Sequence, residues 1–172
     1  MNGKIGLKMN TTAKEELQKW DKVLDEYENS IGLPKYIPDA LPEEELNLYF
    51  SMDRNHIEKL SPEDCAQIAY RLSQFSFHVQ RTLNRELARY NWADETIKEV
   101  IASEINNYKG YGYVEKSYQA IKNNEKANAI NLIKKYAKQR IDRLSYIANN
   151  IKHLSEVTLN IQRTKVNYVS KQ

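Results

Sequence analysis

Apolar residues recur along most of this chain at steps of three and four, the spacing of one face of an α-helix. From Ala13 to Ser30, AKEELQKWDKVLDEYENS sets Leu17, Trp20, Leu24 and Tyr27 at 3-4-3 spacing. That predicts an amphipathic helix with a mostly acidic outer face. Pro34, Pro38 and Pro42 then break the pattern into an irregular connector, and a short helix is predicted from Pro42 to about Met52. The next start signal is stronger. Ser61 supplies an N-cap, Pro62 suits the first helical position, and Glu63 and Asp64 meet the positive end of the dipole.

From there no Gly or Pro occurs until Gly110. Cys65, Ile68, Leu72, Phe75 and Val79 repeat at 3-4-3-4, and Leu83, Leu87, Tyr90, Ile97, Ile101 and Ile105 continue less regularly. The pattern predicts one helix over about 62–108, bent or interrupted near Asn91–Asp94. After the turn YKGYGY a short helix is expected over 114–122. A last helix then runs from about 126 to 166 on the stripe Ile130, Ile133, Ala137, Arg140, Leu144, Ile147, Ile151, Leu154, Thr158 and Ile161. Its steps alternate three and four without a slip, which is coiled-coil-like periodicity.

The expected fold is all-α: a long antiparallel helical hairpin, about 62–108 and 126–166, with shorter N-terminal helices. Residues 1–12 are expected to be flexible, 13–58 to hold acidic helices and the Pro-containing connector, and 59–172 to form the hairpin domain. Two such helices leave apolar flanks uncovered, and Phe77 and Trp92 lie off the main stripe. A homo-oligomer is therefore expected, the alternative being that the N-terminal segments suffice to cover those flanks.

Composition changes this picture little. The 172 residues hold only 5 Gly and 4 Pro, consistent with few turns and long helices. No run approaches the length of an apolar membrane span, and MNGKIGLKMNTT lacks a secretory apolar core, so no membrane association is expected. The lone Cys65 makes no internal disulfide, which fits a reducing cytoplasm.

Charge changes it more. The net charge of +3 conceals a split: residues 1–112 hold 14 Lys and Arg against 19 Asp and Glu, whereas residues 113–172 hold 12 against 4. An acidic part joined to a basic part implies a polyanion partner, self-association, or both.

Catalytic patterns are missing. His56, His78 and His153 stand in no ligand spacing, so neither a metal nor another cofactor is expected. Asp53 and His56, at i and i+3, read as a capping contact, and Cys65 reads as a small buried apolar residue. KGYGYVEK lacks the third glycine and the preceding strand of a phosphate-binding loop. The chain is not expected to be an enzyme.

The basic part has a different logic. Lys134, Lys135, Lys138, Arg143 and Lys152 lie off the last apolar stripe, and Arg140 sits within it with a stem long enough to reach a rim. Such a row can track phosphates without reading sequence. In NYKGYGYVEKSYQ and the residues after it, Tyr108, Tyr111, Tyr113 and Tyr118 keep company with Lys109, Lys116 and Lys122. Aromatic rings among cations suit the stacking of unpaired bases. The same rings also suit packing beneath a neighbouring subunit, with hydroxyls left wet.

In this pattern, from about residue 61 to 165, the chain resembles the UvsY-type recombination mediators of tailed phages. The carriers are the capped helix SPEDCAQIAYRLSQFSFHVQRTLNRELARYNWADETIKEVIASEI, the turn NNYKGYGY and the closing helix IDRLSYIANNIKHLSEVTLNIQRTKV. Lys109 precedes Gly110 here, whereas the family turn has its basic residue after the glycine, and the acidic N-terminal helix has no clear counterpart. The resemblance implies a homo-oligomer that binds single-stranded DNA, remodels a coating single-strand binding protein and helps load a recombinase. From the charge split alone, the acidic N-terminal helix is expected to mimic a polyanion and shield the basic surface when DNA is absent. The competing expectation is a helical structural or interaction protein, either an assembly component or an inhibitor of a nucleic-acid enzyme, with no nucleic acid of its own.

Overall fold

The computed structural model describes residues 11–32, 43–110 and 112–169. The expected flexible segment up to Asn10, and most of the proline connector, lie outside them. Among the described residues every regular element is helical. Seven α-helices follow in order: α1 (Thr11–Ser30), α2 (Glu43–Ser51), α3 (Arg54–Lys59), α4 (Pro62–Ile101), α5 (Tyr113–Asn123), α6 (Glu125–Leu144) and α7 (Ile147–Val169). A 3-10 turn over Ile105–Asn107 follows α4.

The start of α4 is a reciprocal cap. The Asp64 amide donates to Ser61 Oγ at 3.0 Å, while Asp64 Oδ2 accepts from the Ser61 hydroxyl at 2.6 Å and its amide at 3.2 Å. Those bonds to the ionised form hold the Asp64 carboxyl below its usual range. α4 then passes through Asn91–Asp94 without interruption. It ends at Ile101 rather than near residue 108, where Ala102 and Glu104 donate to carbonyls three residues back and the chain tightens.

The single closing helix expected over 126–166 is in fact two. Ser145 and Tyr146 form a turn, and the Asn150 amide donates to Tyr146 O at 3.0 Å as α7 begins. Both turn residues lie off the 3-4 stripe, between Leu144 and Ile147, so the spacing carries no trace of the break. Ile130, Ile133, Ala137, Ile151 and Thr158 are buried on the stripe as expected, but burial shifts by one residue at three other positions. Ile141, Ala148 and Ser155 are buried where the stripe named Arg140, Ile147 and Leu154, and Ile147 is 40% exposed.

The chain gathers into two compact units. One joins α1 to Arg85–Ile141, and the other joins α2, α3 and the first half of α4 to the chain from Asp142 onward. In the first, Ala13 of α1, Ala93, Ile97 and Ile101 of α4, Ala120 of α5, and Ala127, Ile130 and Ile133 of α6 form one apolar core. α4 and α6 meet with opposite chain sense there, since Asp94 pairs with Lys134 and Glu86 with Arg140. Trp92, off the α4 stripe, is covered by Trp20 of α1, with ring centroids 6.1 Å apart.

In the second unit Ile68, Leu72 and Val79 of α4 pack on Ala148 and Ile151 of α7. Small residues bring these helices close. Ser155 Oγ donates to Ala69 O at 2.7 Å and lies 2.8 Å from Ser73 Oγ, and Ser76 Oγ donates to Ala148 O at 2.8 Å. The buried hydroxyls thus have partners, as burial requires. Cys65, near the start of α4 in the same unit, is fully buried. No described helix is long and apolar enough to cross a membrane.

Candidate nucleic-acid interface

The tyrosine-rich turn and α5 belong to the first unit. Gly110 passes so near α5 that a Cβ there would meet Glu115 Cβ and Oε2 at 3.1 Å, so the position favours glycine by close approach. Gly112 is the N-cap, and the Lys109 carbonyl accepts from Gln119 Nε2 at 3.1 Å, which ties the turn to the helix. Inward, α5 buries Ala120 and packs Ile121 against the core.

The four tyrosines part company. Tyr108 is half-buried and packs on the core, and Tyr111 lies outside the described residues. Tyr113 is 61% exposed and Tyr118 70% exposed, with Val114 between them at 77%. Val114, Tyr118 and Lys122 follow at steps of four, so they share the outer face of α5. Lys109 is exposed, and the half-buried Lys116 joins Tyr113, Asn106 and the two glycines around a shallow cup of about 260 Å3. Tyr113 and Lys116 therefore meet at the cup, whereas Tyr118 and Lys122 lie on a different face of α5 and Tyr108 packs inward.

The expected cations of α6 are not equivalent. Lys134 Nζ donates to Asp94 Oδ1 at 2.6 Å and lies 5.4 Å from the Tyr90 ring centroid. Lys98 holds the other oxygen of Asp94 at 2.6 Å. Hydrogen bonds from Lys134 first and Lys98 second keep the Asp94 carboxyl below its usual range. Arg140 Nε lies 2.9 Å from Glu86 Oε2, a charge pair whose N–H is not aligned on that oxygen. Lys135 and Lys138 are exposed. In the second unit Arg143 is exposed, and Lys152 lies 4.0 Å from Glu156.

Three groupings escaped the reading of the sequence. Within the first unit, Arg89 makes a two-pronged pair with Asp21, at 3.0 and 2.9 Å, and Arg85 donates to Asp25 at 2.6 Å with Glu28 at 3.5 Å. Lys126 pairs with Glu16 at 2.7 Å. The signal was present as two matching i, i+4 pairs, Asp21 with Asp25 and Arg85 with Arg89. The second is Glu86, a charged residue buried on α4 while Leu87, named on the stripe, is 39% exposed. The third lies within the second unit. Lys165 Nζ donates to the carbonyls of Ile57, Glu58 and Leu60, closing the C-terminal end of α3 beside an open apolar groove of about 910 Å3.

Asp53 caps α3, accepting from the His56 amide at 2.9 Å and contacting its Nδ1 at 2.8 Å. Among the described residues no group of three or more His, Cys, Asp or Glu gathers as a metal site. Compared with protein-family models, with curated proteins and with solved structures, the chain gives no match.

Proposed function

We propose that this chain is a non-enzymatic, homo-oligomeric binder of single-stranded nucleic acid, of the kind that assists recombination by helping to load a recombinase. The observation that carries the reading is the pair of exposed rings on α5: Tyr113, 61% exposed, shares the cup at the turn with Lys116, and Tyr118, 70% exposed, stands one turn before Lys122 on the outer face. Exposed rings offer flat surfaces to bases of any sequence, and the surrounding ammonium groups meet phosphates. Lys135 and Lys138, both exposed, extend the cationic track along α6, and Lys134 and Arg140 are paired with Asp94 and Glu86. Arg143 and Lys152 would add phosphate contacts of their own. The long helices are read as an antiparallel hairpin, with Tyr70 and Phe77, seven apart on α4 and 63% and 50% exposed, covered by further copies.

The test is a labelled oligo-dT titration of the natural chain and of Tyr113→Ala/Tyr118→Ala, with light scattering on the same samples. Loss of two stacking contacts, each about 1–3 kcal/mol, weakens binding at least tenfold with assembly intact. Unchanged binding contradicts the reading. A second reading, an interaction protein with no nucleic acid, is favoured by Val114, an apolar side chain 77% exposed between the two rings. It predicts lost assembly in the same variant and no oligonucleotide binding by the natural chain.

A further inference from the structure

The two halves of α1 are held in different ways. Ala13 is fully buried and Leu17 packs on the core, so the first half belongs to the hydrophobic interior. In the second half Val23 and Tyr27 are 62% and 60% exposed, and Leu24 is only half-buried. What fastens that half is charge: Asp21, Asp25 and Glu28, about one per helical turn, all turned toward Arg85 and Arg89. Arg85 alone faces three carboxylates, at 2.6, 3.5 and 4.0 Å. The pairs are not sealed from water, since their side chains are 14–38% exposed. Beside them Trp92 lies under Trp20.

Two arginines one turn apart with an indole alongside have the composition of a single-strand binding surface. A helix that lays regularly spaced carboxylates on them presents what a phosphate backbone would present. We propose that Arg85, Arg89 and Trp92 form a second contact surface for single-stranded nucleic acid, covered in the free protein by Trp20 and by residues 21–30 of α1, whose carboxylates act as an internal polyanion. This inference rests on the nucleic-acid reading above and extends it. It also adds to where the acidic helix acts: its carboxylates face Arg85, Arg89 and Lys126. The strand displaces one set of anions with another, so the surface opens only to a ligand that brings several phosphates at once.

The experiment compares two full-length variants with the same charge change. Asp21→Asn/Asp25→Asn loosens the cover, whereas Glu15→Gln/Glu26→Gln neutralises exposed acids of α1 that do not face Arg85 or Arg89. In oligo-dT titrations the first variant binds about tenfold tighter than the natural chain. Its log-affinity against log-salt slope steepens by about 1.4, for two added phosphate contacts on a single strand. The second variant changes by less than about threefold, and equal gains in the two overturn the proposal. If the natural chain binds and the first variant binds no better, this inference fails while the nucleic-acid reading stands. If neither binds, both fail. Hydrogen exchange on the natural chain gives an answer independent of any variant's folding. Amides of residues 21–30 exchange faster when oligo-dT is saturating, and unchanged or slower exchange overturns the proposal.

Discussion

Each unit joins its helices around an apolar core, but the polar contacts that complete the joining are opposite in chemistry. In the first, Arg85, Arg89, Arg140 and Lys134 tie α1, α4 and α6 together through Asp21, Asp25, Glu86 and Asp94. In the second, α4 meets α7 through Ala69, Ser73, Ser76, Ala148 and Ser155, side chains small enough for backbone carbonyls to be reached directly. One helix, α4, changes its contact chemistry along its length. Contacts through small residues are dry and unforgiving of volume. Contacts through charge are partly wet and can be exchanged for other ions, so a polyanion partner is to be sought on the first unit.

The largest expected effect comes from breaking the close contact. Ser155→Leu forces a bulky side chain where Oγ lies 2.7 Å from a carbonyl, and overpacking of that kind costs about 3 kcal/mol. A lowered urea midpoint measures it, with hydrogen exchange showing the loss in α7 and the first half of α4. An unchanged midpoint would mean that the helices part there at little cost.

Glu86→Gln is the matching break in the first unit. It leaves Arg89, 2.7 Å away, and Arg140 without their shared carboxylate. Removing one partner of a fully buried pair costs about 3–5 kcal/mol, and the 50% exposure of Arg140 brings the expectation down to about 2. Added salt should narrow the gap between this variant and the natural chain, whereas Ser155→Leu is indifferent to salt.

Smaller effects sharpen the contrast. Ser61→Ala removes the cap that begins α4 and should cost about 1 kcal/mol, read as earlier fraying of its first turn. The acid limb adds a test of sign. Asp94 titrates lower in the folded chain than unfolded, so its stabilising contribution is present above about pH 4, its unfolded-chain value. That contribution disappears as pH falls through the lower folded value. Asp94→Asn should therefore flatten the acid-induced loss of stability. A profile as steep as that of the natural chain would show that Asp94 does not report on folding.

Much of the helical architecture was legible. The Ser61–Pro62–Asp64 signal marks the start of α4 to the residue, and Ile68, Leu72, Val79, Leu83, Ile97 and Ile101 are buried as their spacing requires. Where the reading slipped, it did so for one physical reason: apolarity was taken as the sign of burial. Glu86 is buried because two arginines flank it, while Leu87 faces outward. Ser155 is buried because only a small side chain lets α7 approach Ala69. The turn at Ser145 and Tyr146 needed neither glycine nor proline, so no residue type announced it. In the candidate interface, composition marked a stretch that carries exposed rings and cations. It did not separate Tyr108, which packs inward, from Tyr113 and Tyr118, which do not. Nor did it show that acids occupy Lys134 and Arg140.

The central claim is that the cationic and aromatic surface of the first unit meets a single strand through its phosphates. Its most direct test is fluorescence anisotropy of the natural chain with labelled oligo-dT over a series of salt concentrations. Four or five cations in contact predict a log-affinity against log-salt slope of about −3, at about −0.7 per phosphate. No binding at the lowest salt, or an affinity that does not change with salt, would contradict the account.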